Sequence, residues 1–416
     1  MTVFYGWVVA SGGLVILTVA YGLQFSYGVF VESFESALGL TRAEVSLPYS
    51  VYVVVYGTLS FVAGSLTDRF GPRLVISVGG IALGLGFAWL STAQSVLTLY
   101  LGFTVVAGIG MSVAFVPCTA TVVRWFERHR GLALGLTSSG ISAAALVFPL
   151  VAATLLSWLG WRSALAVLGV GGLIGIVAAA QLMVRDPSVK GLLPDGDEPT
   201  ETDVAPARES FTWRNALATQ SLWVLVIVLS LSWITVFVPF VHVAALALEF
   251  GFSAWVGAGA VSAIGLGGLL GRLLAGVLAD QVGRLPTLAA GIAFQALAFL
   301  LFMVSVEPWL LWFAAALFGL SYSTGSVVFP AIVGDYFGPT HAGAIAGTVF
   351  AIGAIAAGVG PWLAGWSFDR TDAYWGICWL GYAVNLVALL VLLALKKPPT
   401  PKPRPSPQPD STKSWV

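Results

Sequence analysis

The sequence predicts an all-α membrane protein of twelve transmembrane helices, arranged as two six-helix bundles related by pseudo-symmetry. Three observations lead there. Of 416 residues, 58% are hydrophobic and only 9% charged, against about 25% charged in a soluble domain. The apolar residues fall into twelve runs, each long enough to cross a hydrocarbon layer about 30 Å thick. The two halves of the chain also repeat one another.

The first run, 7–30, starts close to Met1 and lacks the pattern of a cleavable signal. Runs at 44–66, 73–93, 96–123, 131–157 and 162–184 follow, with short connections. A polar stretch at 185–220 carries Asp195, Asp197, Glu198, Glu201 and Asp203 among Pro and Gly, and reads as a mobile linker. The second set of runs is 221–248, 253–279, 286–305, 308–334, 342–368 and 373–395. The Pro- and Lys-bearing tail, 396–416, cannot pack a core and is expected to be extended and disordered. The domains are thus an N-terminal bundle (1–184), a cytoplasmic linker (185–220), a C-terminal bundle (221–395) and a cytoplasmic tail (396–416).

Orientation follows from Lys and Arg, of which there are 19. Arg42, Arg162 and Arg370 fall on one side, Arg272 lies inside a span, and the remaining fifteen fall on the other side. Positive charge gathers on the cytoplasmic face, so both termini are expected there, in the cell membrane. Net charge is zero, which offers nothing to a nucleic acid. Cys118 and Cys378 both lie in apolar runs, without disulfide or metal spacing. No nucleophile–base set is visible either, so neither an enzyme nor a cofactor is expected. Nothing specifies an oligomer, and a monomer in the lipid bilayer is the working expectation.

The repeat rests on Gly64-Ser65-Leu66-Thr67-Asp68-Arg69-Phe70-Gly71-Pro72-Arg73 and Gly276-Val277-Leu278-Ala279-Asp280-Gln281-Val282-Gly283-Arg284. Their Gly, Asp and Gly positions are all offset by 212. Arg124-Trp125-Phe126 and Asp335-Tyr336-Phe337 match at an offset of 211. The first Gly lets a neighbouring helix approach. The Asp can cap a helix or pair with an arginine, and the second Gly makes a tight turn. Parallel repeats of this kind are one of the known transporter architectures. Asp68, Arg69, Arg73, Arg124, Asp280, Arg284 and Asp335 gather at one face of the protein, with Asp68 and Arg124 as the expected pair; a gating role for them is what the family resemblance given below implies.

Arg272 stands apart, in Gly265-Leu266-Gly267-Gly268-Leu269-Leu270-Gly271-Arg272-Leu273-Leu274-Ala275-Gly276. It precedes the polar Asp280 end by eight residues, or roughly 12 Å along a helix. That places it near the bilayer midplane, where transporters bind substrate. A guanidinium cannot be neutralised by losing its proton, and an intramembrane charge is costly. No mid-span carboxylate is available to it, because Glu32, Glu35, Glu44, Glu249, Glu307, Asp369 and Asp372 sit near outer ends. An anionic ligand is the reading this favours; a structural arginine held by carbonyls or water is the plainer alternative.

The chain resembles the major facilitator superfamily over residues 5–395, and within it the monocarboxylate transporter and oxalate/formate exchanger branches. Tyr5-Gly6-Trp7, the block from Arg124 to Gly135, and Leu159-Gly160-Trp161-Arg162 carry the likeness. Arg272 falls where those families place a carboxylate-binding arginine. The departures are specific. Gly268 stands where animal monocarboxylate transporters have an aspartate, Phe25 stands on or near their first-span lysine, and the acidic start of their N-terminal motif is missing. The fifth-span Gly-Pro motif of drug/proton antiporters is missing from Ser139-Gly140-Ile141-Ser142-Ala143-Ala144. The eleventh run, 342–368, has no Lys or Arg to match the second cation of the oxalate branch.

The resemblance and the charge count together imply a secondary active transporter of small monocarboxylates such as lactate and pyruvate, working by alternating access with proton symport. One buried cation balances one carboxylate. Expected to line the path are Arg272, Tyr322, Phe329, Gln24, Phe25, Tyr52, Phe115 and Thr119, since aromatic and hydroxyl groups suit a small acid, although intramembrane aromatics more often simply pack. Tyr322 leads these, because a phenol can donate to a carboxylate. His242 is the candidate for proton coupling, because imidazole titrates near neutral pH; a packed, hydrogen-bonded histidine is the alternative. The rival readings are an organic anion exchanger of the oxalate/formate type and a non-transporting membrane carboxylate sensor.

Overall fold

The computed structural model describes residues 4–196, 211–338 and 342–398, and among them the chain is helical without strands. Hydrocarbon offers no partner for backbone N–H and C=O groups, so a spanning chain must satisfy them within itself. The helices are α1 (Tyr5–Leu38), α2 (Arg42–Phe70), α3 (Pro72–Leu90), α4 (Val96–Leu99), α5 (Gly108–Ser112), α6 (Phe115–Trp125) and α7 (Arg130–Ala180). After the linker come α8 (Trp213–Leu217), α9 (Gln220–Trp233), α10 (Val238–Glu249), α11 (Ala254–Gln281), α12 (Arg284–Met303), α13 (Pro308–Phe337), α14 (Ala342–Thr371) and α15 (Trp375–Leu392). The run expected at 96–123 is broken up: α4 passes through a π-helical turn, Tyr100–Ala107, into α5 and α6. The run expected at 221–248 is likewise split between α9 and α10, with Pro239 opening the second part.

Among the described residues, ten helices are long and apolar enough to span, or eleven with the bent α2. The long α7 supplies one more. At about 1.5 Å per residue its 51 residues would reach more than twice the hydrocarbon thickness. The helix breaks at Gly160, where φ is 73° and ψ is 165°. Gly13 of α1 meets Thr137 while its neighbour Gly12 meets Leu182, so the two arms of α7 lie side by side. The expected runs 131–157 and 162–184 are these two arms.

The repeat is visible in the backbone. Gly71 and Gly283 adopt the same left-handed turn, φ 83° and 103° with ψ 155° at both, between α2 and α3 and between α11 and α12. Only a residue without a Cβ enters that region freely.

Two seams position the site. Along α11, Gly267 and Gly271 lie against the Ala316 and Leu320 backbone of α13, and Gly319 of α13 lies against Ile264. On another face, Gly265 touches the backbone of α7 from Ser142 to Leu146. Small residues allow this backbone contact between membrane helices. Gly268 and Arg272 are therefore carried between α7 and α13. At the expected outer end, Gly28 of α1 packs on Phe240 and Val241 of α10, and Gly358 and Gly365 of α14 pack on Ser50, Arg42 and Ala43 of α2. At the other end, Gly131, Gly135, Gly276, Gly334 and Gly347 have nothing within 4 Å of where a side chain would begin. Close glycine contacts between the two halves thus lie toward one end, the closed end, and these five glycines make none at the opposite, open end.

Part of the expected mobile linker is docked. Asp195 accepts hydrogen bonds from Glu127 N and Arg128 N, both at 2.7 Å, and from His129 N at 3.3 Å. Trp125 Nε1 donates to Val184 O at 2.7 Å, and Lys190 lies over the Tyr5 ring. Asp197, Glu198, Glu201 and Asp203 lie outside the described residues. Of the expected disordered tail, Lys396 accepts a bond from Ser221 Oγ at 2.6 Å through its carbonyl, and residues 399–416 lie outside the described part.

Candidate functional site

A small cavity of about 10 Å³ lies between α1, α7, α10, α11 and α13. Arg272, Ser142, Ser323, Tyr322, Phe25 and Phe240 border it, with Gly268 in its wall. Arg272 is half-buried, and its Nη1 donates to Ser142 Oγ of α7. Among the described residues, no carboxylate pairs with it. Phe25 of α1 stacks on Phe240 of α10, with centroids 4.2 Å apart and planes at 13°, which covers one side of the cavity. Phe240 also meets the Tyr322 ring edge-on at 5.9 Å.

Of the expected path residues, the structure brings Arg272, Tyr322 and Phe25 together here. Gln24 is fully buried behind them and its Nε2 donates to Tyr49 Oη at 3.0 Å. Tyr52 stacks on Phe103 at 4.3 Å. Thr119 donates back to Phe115 O in its own helix, at 2.9 Å. Phe329 is buried in a different cluster, against Phe350.

His242 belongs to a second polar group, at the closed end. Its Nδ1 is 2.9 Å from Tyr374 Oη, and its Nε2 is 2.8 Å from Pro361 O and 3.3 Å from Ser46 Oγ. Arg42 Nη1 donates to the same Tyr374 oxygen at 3.0 Å, and Arg42 Nε and Nη2 donate to Glu35 at 2.6 and 2.8 Å. The chemistry orders the chain. Pro361 O can only accept, so Nε2 carries the imidazole proton. A guanidinium can only donate, so Tyr374 accepts from Arg42 and gives its own proton to Nδ1. His242 is thus a neutral link in a chain running from Glu35 to Pro361. The Arg42 guanidinium also lies 4.1 Å over the Phe368 ring.

The residues expected to gate lie at the other end. Arg124 pairs with Asp68 at 2.5 Å and with Asp186 at 3.5 Å. Arg284 pairs with Asp335 at 2.5 Å and donates to Ala331 O. The charges at the equivalent positions 124 and 335 are opposite, so each half closes its own pair with reversed polarity. Arg73 donates to Gln181 O at 2.9 Å, Arg69 lies over Phe70, and Asp280 is exposed at the end of α11.

Sequence reasoning missed Ser142 and Ser323, and the network of Arg42, Glu35, Tyr374 and Asp369. The serines carry no charge signal. The network joins residues more than 320 positions apart, which no local pattern connects.

Comparison with known proteins places these features in context. The sequence profile of the Major Facilitator Superfamily matches residues 13–308 and 258–416. The chain is 31% identical over 384 residues to monocarboxylate transporter 11 of Homo sapiens, covering 89% of this chain and 78% of that protein. It is 29% identical over 282 residues to monocarboxylate transporter 13 of Bos taurus, covering 67% and 62%. Among solved structures, a bacterial homolog of the human lysosomal transporter Spinster superposes with a TM-score of 0.67 at 15% identity, over 95% of each chain.

Proposed function

The chain belongs to the major facilitator superfamily, and from that premise we propose that it is a secondary transporter of small monocarboxylates, of the lactate and pyruvate kind, coupled to protons. Relatives named monocarboxylate transporters support the substrate class. The observation that carries the reading is Arg272: a guanidinium in a small cavity near mid-span, with a serine hydroxyl as its hydrogen-bond partner in place of a carboxylate. A planar fork meets a carboxylate through two parallel bonds. Tyr322 and Phe25 flank that position, and Gln24 is buried nearby.

Each six-helix bundle, 1–184 and 221–395, rocks about this site, with 185–220 as the connecting linker. With both termini cytoplasmic, the closed end faces outward and the open end faces the cytoplasm. Substrate binding neutralises Arg272 and lowers the cost of occluding it, which favours loaded over empty transitions. His242 couples the cycle to protons at the outer seal, at a distance from the substrate. The pairs Asp68–Arg124 and Arg284–Asp335 act on the cytoplasmic side.

The test is uptake of labelled lactate into proteoliposomes, with and without an inward proton gradient, for the parent and for Arg272→Ala. Gradient-stimulated uptake that disappears in the variant supports the reading. Uptake that ignores the gradient but requires carboxylate inside selects an anion exchanger. Saturable binding without flux selects a sensor.

A further inference from the structure

Pro361 lies inside α14. Proline has no N–H, and its ring crowds the carbonyl four residues back, so it bends a helix and loosens the bonds around it. Two backbone groups at this bend are served from outside α14. Pro361 O accepts from His242 Nε2 of α10 at 2.8 Å. Trp362 N, which in a regular helix serves the carbonyl of Gly358, donates to Ser50 Oγ of α2 at 2.9 Å. His242 belongs to the same half of the chain as α14, whereas Ser50 belongs to the other half. When α2 and α14 part, the Ser50 bond must break and the His242 bond can stay.

The repeat supplies a comparison within the molecule. Pro149, inside α7, and Pro361 are separated by 212, the offset of the repeat. Leu150 and Trp362 are separated by the same 212, and so are Ser50 and Ser262. The seam of α7 with α11 is thus the counterpart of the seam of α14 with α2. Both are closed on backbone: a Cβ on Gly358 would lie 2.8 Å from Ser50 O, and one on Gly265 would lie 2.3 Å from Leu146 N. Yet Ser262 is buried, and its hydroxyl has no partner among the described residues. A reversed size pattern accompanies the difference. On α14, Gly360 presses its backbone on Ile234 O; at the equivalent positions, Phe148 of α7 lays its ring on Gly22. Glycine thus brings the bent backbone of α14 against its neighbour, while a ring spaces the backbone of α7.

We propose that Ser50 is a catch on the outer seal, with Pro361 as its hinge: the α2–α14 seam carries a hydrogen bond that must be released before the outer end opens, and the equivalent α7–α11 seam carries none. When the seam parts, the Trp362 N–H turns back to Gly358 O and the bend relaxes. The two positions of α14 then each pair this group, as a two-state element requires. A backbone N–H left without a partner away from water is costly. Removing the Ser50 acceptor therefore penalises the closed state and spares the open one. The catch does not depend on what Arg272 binds.

The Arg42 and Ala43 amides report on the seam, because Asp369 of α14 holds them across it at 3.0 and 2.9 Å. The experiment measures deuterium uptake at these amides in the purified protein, for the parent, Ser50→Ala, Ser262→Ala, Pro361→Ala and the double variant Ser50→Ala/Pro361→Ala. Exchange through brief openings follows the open population, so the rate reads the catch even when opening is rare. Ser50→Ala should speed exchange about fivefold, the scale of one hydrogen bond. Ser262→Ala, the same change at the equivalent position, should leave the rate within about twofold. In Pro361→Ala the regular helix reclaims the Trp362 N–H, so adding Ser50→Ala should change the rate by less than about twofold. Ser50→Cys, whose sulfur is a weak acceptor, covers the case in which Ser50→Ala does not fold, and should give a smaller acceleration in the same direction. Parent-like exchange in folded Ser50→Ala, or in Ser50→Cys where that variant stands in for it, overturns the proposal. Equal acceleration by Ser50→Ala and Ser262→Ala does so too, since it marks general loosening. A full effect of Ser50→Ala in the Pro361→Ala background removes the hinge.

Discussion

Asp369 of α14 caps α2 at Arg42, with its Oδ1 3.0 Å from Arg42 N and its Oδ2 2.9 Å from Ala43 N. The first N–H groups of a helix have no partner within the helix and attract negative charge. Thr41 caps the Glu44 N–H locally, but the first two N–H groups are held from the other half of the chain, so breaking the seal between α2 and α14 also leaves them without a partner. Asp369→Ala should remove about 1 kcal/mol, the usual worth of an N-cap, and shift the closed population about fivefold. A cysteine placed at Ser50, in the seam against Gly358, should then react several times faster with a thiol reagent. An unchanged rate would show that the cap does not hold the seal.

The neighbouring hydrogen-bond chain predicts a pH effect with a definite sign. Adding a proton to His242 Nδ1 turns an acceptor into a donor aimed at Tyr374 Oη, which already receives Arg42. The tyrosine proton then loses its acceptor, and acid loosens the outer seal. The charged and polar groups around this point are Arg42, Glu35, Asp369, Glu249, Tyr374 and Ser46. Lower external pH should speed uptake, and His242→Gln should flatten that dependence. If the variant keeps the parent's pH profile, His242 has no part in coupling.

Much of the fold was legible because hydrocarbon imposes simple rules. Long apolar runs, a Gly-Asp-Gly repeat and a lone buried arginine each carry a strong local signal. The turn glycines Gly71 and Gly283 were found by their spacing, and they share one backbone conformation. Two features were not legible. The breaks around Tyr100–Ala107 and between α9 and α10 leave the apolar pattern intact, so composition passes over them. The hydroxyls of Ser142 and Ser323 gain meaning only when α7 and α13 close on α11 through glycine. That contact is set by packing across distant parts of the chain.

Arg272→Leu separates function from stability. If the guanidinium were a structural tie, its removal would loosen α7 from α11. If it serves a ligand, the empty protein carries it at a cost, because replacing a buried charge with an apolar group is often neutral or stabilising. Uptake should vanish while the melting temperature of the solubilised protein does not fall. A drop of several degrees would mark Arg272 as part of the scaffold.

Gly319 tests the seam that places the site. A methyl there would lie 2.0 Å from Ile264 O, a backbone atom that cannot turn aside. Gly319→Ala should therefore destabilise the protein by about 1–3 kcal/mol, as overpacking does. Gly276→Ala, on the same helix as Arg272, meets nothing within 4 Å and should be neutral or gain up to about 1 kcal/mol from helix propensity. Equal melting temperatures for the two variants would contradict the assignment of α11–α13 as a close backbone seam.

Asp195 gives the last prediction, at the start of α7. Burial works to raise its carboxyl pKa, but the N–H donors of Arg128 and Glu127, with His129, outweigh burial and hold it below the usual range. Three successive backbone N–H groups at a helix start make an anion cradle, and the carboxylate fills it. Because the docked group has the lower pKa, a proton binds more readily to the free linker. Docking is therefore fully present above the ordinary carboxylate pKa of about 3.9 and is lost as pH falls through the lower, docked value. Limited proteolysis of residues 185–196 should find them protected at neutral and mildly acidic pH, and exposed in Asp195→Ala at every pH. Protection that disappears in mild acid would mean that some other group holds the linker in place.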